Sequence, residues 1–290
     1  MLSSRRPRAG RSRPPLRHWR SALVACALLT AAGVGIGVAV RLPSAGAETR
    51  VAEGSVAPSA PTRVPPALVP SPTVVPSPTV ASGSLAAPVL TLPGPTPTKG
   101  RGSFGYDERV GGVLGRSGTL VRYRVAVEHG AGEDAGDFGA AVHRALVGPG
   151  SWVDGGRLRL QQVGSGSRHD FTVYLATRET AGRICGAGGI NIRVGGVPYT
   201  SCRVSGKVVI NLDRWRTSVR HLVAARVPLD TYRLYVVNHE VGHQLGHRHE
   251  SCPGAGRAAP VMQQQTLFLD GCRPNPWPYL GGKRYSGPAR

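Results

Sequence analysis

The chain has 290 residues, 36 Lys and Arg against 16 Asp and Glu, and a formal net charge of +20. That length holds one domain of ordinary size plus appendages. The charge points to anionic partners. Nucleic acid is excluded as the expected one, because no nucleic-acid-binding motif occurs and the densest Arg cluster has a topological explanation at the N-terminus.

Residues 1–20 carry seven Arg and no acid, and residues 21–40, SALVACALLTAAGVGIGVAV, carry no charge at all. A helix of that length spans about 30 Å, the thickness of a bilayer's hydrocarbon core. A basic flank before such a run stays in the cytoplasm and directs the downstream chain outward. The expectation is a cytoplasmic tail (1–20), a membrane signal-anchor (21–40) and an extracytoplasmic remainder. Ala45-Gly46-Ala47 offers a signal-peptidase site as the alternative, with cleavage after Ala47 giving a secreted protein. Residues 41–102 read as a disordered linker. VPSPTV occurs at 69–74 and again at 75–80 amid frequent Pro, Ser, Thr and Ala, a composition that buries no core. Beyond residue 47 there remain 28 basic and 16 acidic residues, enough excess to draw the exported part to anionic cell-wall polymer.

From residue 103 the pattern becomes that of a folded domain, expected over 103–290. Residues 120–128, LVRYRVAVE, alternate as a strand with Val121, Tyr123, Val125 and Val127 on one face. Residues 137–147 form a helical stripe of Phe138, Val142 and Leu146, with Asp137 as its cap. Further strands are expected at 158–163, 171–176 and 208–212. A helix is expected over 230–245, capped by Asp230 or Thr231, with Leu234, Val237, Val241 and Leu245 on its apolar face. This order of elements fits an α/β (α+β) sheet with the last helix packed against it. Four of the five Cys fall in the exported part: Cys185, Cys202, Cys252 and Cys272. An oxidising location favours disulfides. Three pairings are open, of which Cys185–Cys202 with Cys252–Cys272 is the simplest because each closes a local loop. Asp213, Trp215 and Trp277 read as structural residues.

Residues 239–249 read HEVGHQLGHRH and match HExxHxxGxxH at His239, Glu240, His243, Gly246 and His249. A helix brings positions four apart onto one face, so His239 and His243 can offer nitrogens to one metal ion. Glu240 lies where its carboxylate reaches a water beside the metal. Gly tolerates positive φ, so Gly246 can end the helix and let His249 supply a third nitrogen. His247, four residues beyond His243, is the rival ligand if the helix continues. His249 is preferred because Gly is a poor residue for a helix interior. Three protein ligands plus water is the arrangement of a catalytic Zn2+.

This run, with Pro260-Val261-Met262 ending 13 residues after His249, resembles the metzincin clan of zinc metallopeptidases, whose second signature is a Met-containing turn beneath the metal. The resemblance implies a twisted sheet with an active-site helix and a small irregular C-terminal part, with Met262 supporting the metal site. It also implies an edge strand that holds the substrate backbone, for which residues 207–212 and 190–194 are the candidates. Glu250 after the third His resembles the astacin branch. Astacins and serralysins carry Tyr two residues after the Met, where this chain has Gln264. The stretch 238–278 also resembles a family of actinobacterial surface proteins described only as of unknown function, over about residues 104–281. Together these imply an extracytoplasmic zinc metallopeptidase with Glu240 as general base, acting on a peptide or protein substrate. The alternative is a non-enzymatic, zinc-stabilised surface module that binds anionic cell-wall polymer.

Overall fold

The computed structural model describes residues 87–290. The expected cytoplasmic tail, the membrane segment and most of the linker lie outside the described residues. Among the described residues no helix is long and apolar enough to cross a membrane.

In chain order the elements are β1 (Phe104–Tyr106), β2 (Thr119–Glu128), α1 (Ala135–Val147), β3 (Leu158–Gln162), β4 (Phe171–Ala176), α2 (Arg178–Ala187), β5 (Arg193–Val194), β6 (Val197–Pro198), β7 (Cys202–Val204), β8 (Lys207–Asn211), α3 (Leu212–Thr217), α4 (Arg220–Ala224), α5 (Leu229–Gln244), β9 (Tyr279–Leu280) and β10 (Lys283–Arg284). The fold is mixed α/β. Its main sheet runs β1-β2-β4-β8-β7, with β3 also paired to β2. Strands β2, β4 and β8 are parallel neighbours, as is β3 with β2, whereas β1 and β7 are antiparallel to theirs. Tyr123 pairs with Gln162 of β3 and Phe171 of β4, so β3 and β1 share one edge of β2 in tandem.

Alternation along the central strands divides the core in two. Tyr123, Val125, Val173, Leu175, Val208 and Ile210 face α1 and α5, while Val209 and Ala176 face α2 and its Cys185. A strand covered on both faces must be apolar on both, which is why β4 reads FTVYLA without a clean polar alternation. The expected strands and the two expected helices are present within a residue or two. Their caps differ from expectation. The α1 cap is Asp134, whose side chain accepts from Asp137 N, and α5 begins after Pro228 with no side-chain cap. Asp230 instead pairs with Arg233 in the first turn at 3.3 Å.

The domain's contacts begin earlier than residue 103. Leu229 N donates to Val89 O, Leu92 N to Arg216 O and Glu179 N to Thr98 O. Gly102 N and Gly100 N bond to the side chains of Glu128 and Thr177. The Pro-rich composition of residues 87–102 therefore describes an extended strap laid on the domain and tied down by its backbone.

The region after α5 contains only short strands. It is held by Cys252–Cys272 and by buried side chains bonded to backbone. Gln265 Nε2 donates to Pro260 O and Asn275 O, and Gln265 Oε1 accepts from Asn275 N. Asn275 Nδ2 in turn donates to Ala259 O and Trp277 O. These bonds satisfy backbone groups that no ladder reaches.

Candidate metal centre

Helix α5 is buried on all sides through its middle, from Tyr235 to Gly242. The sheet covers one side and the irregular C-terminal segment covers the other. The metal-motif half of the helix therefore lies between a rigid ladder and a cross-linked loop.

His239 Nδ1 bonds to Val261 O at 2.8 Å, and His243 Nδ1 to His247 O at 2.8 Å. A carbonyl only accepts, so each ring donates from Nδ1 and leaves the Nε2 lone pair free. Gly246 has φ +95°, a conformation open to Gly at little cost, and His247 N returns to Gly242 O. The chain then carries His249 back, and its Nε2 lies 3.0 Å from His243 Nε2. One ligand atom from each of His239, His243 and His249 falls within 4.8 Å of the others. Three neutral imidazoles converging in this way, two with fixed tautomers, fit a metal cation.

The electrostatics agree. Burial, with the neighbouring His243, lowers His239 to about 3. Burial and His243 lower His249 to about 4. Burial also lowers His243; its bond to the His247 carbonyl opposes this and the charge of Arg203 adds to it. All three rings are therefore neutral at ordinary pH, the form that binds metal. Burial raises Glu240 to about 8, and a bound cation beside it acts in the opposite direction.

His247 does not join the triad. Its ring stacks on Trp152 with centroids 4.4 Å apart. It lines the cleft and gives the site its main-chain carbonyl, which holds His243.

The Met turn lies against the back of α5. Met262 is fully buried, and a Cβ built on Gly242 would come within 2.4 Å of its Sδ and 2.7 Å of Trp152. Val261 O holds His239, Tyr235 OH donates to Gln263 O, and Glu250 N donates to Met262 O. Glu250 itself is paired with Arg284 at 2.8 Å and accepts from Gly287 N. The final residues cross beside the third His, with Arg290 N bonded to His249 O.

A cleft of about 480 Å³ opens over the three His and Glu240. One wall is Thr200, Ser201, Cys202 and Arg203, the segment that leads into β7 and the first two residues of that strand. The cleft-lining edge strand is thus neither expected candidate. Residues 207–211 form β8, enclosed between β4 and β7, and 193–194 belong to a separate two-stranded hairpin with β6. Only Ile190 and Asn191 of that candidate reach the cleft. Cys185–Cys202 fastens β7 to α2. Gln264, where a Tyr was the point of comparison, also lines the cleft, whereas Asp213, Trp215 and Trp277 are not among its lining residues.

Sequence reasoning missed β7, Arg203, Tyr235 and Trp152. Tyr235 precedes His239 by four residues, so helical spacing alone could have put it on the same face. The others carry no local signal. No curated protein and no solved structure matches this chain. A family model does match, over residues 91–280, and the chain accordingly belongs to the family described as "Protein of unknown function (DUF3152)".

Proposed function

We propose that the protein is a zinc-dependent metallopeptidase of metzincin type, with an extracytoplasmic site. The observation that carries this reading is the convergence of His239, His243 and His249 beside Glu240 at the floor of an open cleft. A purely structural zinc site closes all four positions with protein and needs no carboxyl group in waiting. The buried Met turn, the antiparallel edge strand along the cleft and the irregular C-terminal part support the same relationship.

His239, His243 and His249 would hold the zinc ion. When bound, it supplies Lewis acidity toward a carbonyl oxygen and acidifies a water molecule. The outer edge of β7 binds an extended peptide backbone by strand addition. Glu240 takes a proton from the attacking water and delivers it to the nitrogen of the leaving amine. Val261 and the His247 carbonyl keep two ligand rings in the tautomer that presents Nε2.

The test compares the purified chain with its Glu240→Gln variant for zinc content and for cleavage of a peptide library. Equal zinc with cleavage reduced by about 10²–10⁴-fold is expected for loss of a general base. A variant that keeps both zinc and full cleavage sinks the assignment of Glu240. A wild-type chain that retains no zinc sinks the metal site.

A further inference from the structure

We infer that Arg203 selects an acidic side chain, Asp or Glu, beside the bond that is cut, so that this cleft takes acidic peptides. This rests on the peptidase reading above and adds a substrate class to it.

Arg203 sits at the centre of β7, opposite Val208 of β8. Successive residues of a strand face opposite ways. Cys202 is bound to Cys185 of α2 on one side, and Arg203 turns to the α5 side. There its Nε donates to Gln244 Oε1 at 3.0 Å, one residue after a metal-site histidine. The partner holding the guanidinium is therefore neutral. None of the ion pairs among the described residues includes Arg203.

The charge lining the cleft is one-sided. Arg203 and Arg248 both line it, and Glu240 is the single carboxyl group among the lining residues. Glu240 is buried and committed to the reacting end, so it does not neutralise them. An Arg anchored through Nε keeps its two terminal nitrogens as a fork, which matches a carboxylate in two parallel hydrogen bonds. A peptide laid along β7 turns alternate side chains toward the face that carries Arg203. Arg248 is exposed at the rim, where it draws anionic chains in without fixing their register. The described residues hold 26 Lys and Arg against 14 Asp and Glu, which biases encounter the same way.

The test uses the zinc-loaded full chain and matched peptides differing only in Glu or Gln at each position around the scissile bond. At one position Glu is expected to raise kcat/KM by about tenfold, mostly through KM, with the ratio falling as salt rises from about 50 to about 500 mM. Arg203→Gln should bring the ratio to about one. Arg203→Lys should keep part of it, because the charge remains and the fork does not. Zinc content and melting temperature establish that each variant is folded. A second readout needs no cleavage: fluorescence anisotropy of the acidic peptide and its Gln counterpart on the Glu240→Gln chain, with and without Arg203→Gln. Cleavage by the wild type without regard to charge leaves the peptidase reading standing and overturns the role of Arg203. Acidic-peptide binding that depends on Arg203, with no cleavage of any peptide, supports the acid site and sinks the peptidase reading. Binding equal for the acidic and Gln peptides overturns the role of Arg203.

Discussion

His247 and His249 are two residues apart, yet the turn at Gly246 gives them different work. His249 presents Nε2 to the cluster, whereas His247 presents its carbonyl to His243 and its ring to Trp152. His249→Ala should lower metal affinity by at least about 100-fold, because a ligand is lost. His247→Ala keeps the carbonyl and should stay within about tenfold, the lower end of the range for supporting residues. Isothermal titration with zinc separates the two, and equal losses would contradict the assignment. Gly242 makes a second residue-scale case. It is on the helix because Met262 and Trp152 leave no room for a Cβ. Gly242→Ala should cost about 1–3 kcal/mol through overpacking, despite its better helix propensity. A variant as stable as wild type in denaturant titration would contradict this packing. The motif histidines were legible because i,i+4 spacing and a Gly terminator are local chemistry. Trp152 was not, because nothing near it in the chain says which helix it will touch.

Among the elements, β2 ends on a carboxylate that organises three segments. Glu128 is buried and accepts from Gly102 N, Thr177 N, Thr177 Oγ1 and Thr180 Oγ1. It thus joins the strap before β1 to the start of α2. Burial pushes this carboxyl up, but the hydrogen bonds from Thr180, Thr177 and Gly102 prevail and leave its pKa below the ordinary Glu value. A depressed folded pKa means that the stabilisation is full above the unfolded value, about 4.3, and is lost as the pH falls through the folded one. Glu128→Gln should cost about 1–3 kcal/mol at neutral pH by leaving buried donors unsatisfied. The gap in melting temperature from wild type should narrow as the pH is lowered from about 7 to about 3. A gap independent of pH would contradict this account. The Cys252–Cys272 bridge is the other element-scale brace, closing a loop with a sequence separation of 20 residues around the Met turn. Replacing both Cys with Ser should cost about 3 kcal/mol by the chain-entropy account. Zinc affinity should fall with it, since Val261 and Met262 lie inside that loop. Unchanged stability in denaturant titration would count against the brace.

For the whole molecule, the proposed metal site would make cation binding and folding one equilibrium. α5, the Met turn and the turn to His249 come together only in the folded chain, so a cation that binds them stabilises that state alone. Zinc at about 100 times its dissociation constant should add about 2.7 kcal/mol, which for a domain of this size raises Tm by about 5–10 °C. Removal by chelator should reverse the shift, and differential scanning calorimetry with and without chelator reads it. The shift should vanish in His249→Ala.

What could be read in the chain before folding was what short-range physics determines. The HExxHxxGxxH spacing places nitrogens on one helix face, the alternation of 120–128 makes a strand, and near neighbours among the Cys make the cheapest loops. The tertiary structure alone decided that β7 forms the cleft wall and that the Pro-rich residues 87–102 strap the domain. It alone decided that Arg203 meets Gln244 and that Gln265 and Asn275 satisfy a loop's backbone. Each of these depends on which distant segments meet, and such meetings are set by the burial of whole faces and the satisfaction of backbone groups, neither of which is written in any local run of residues.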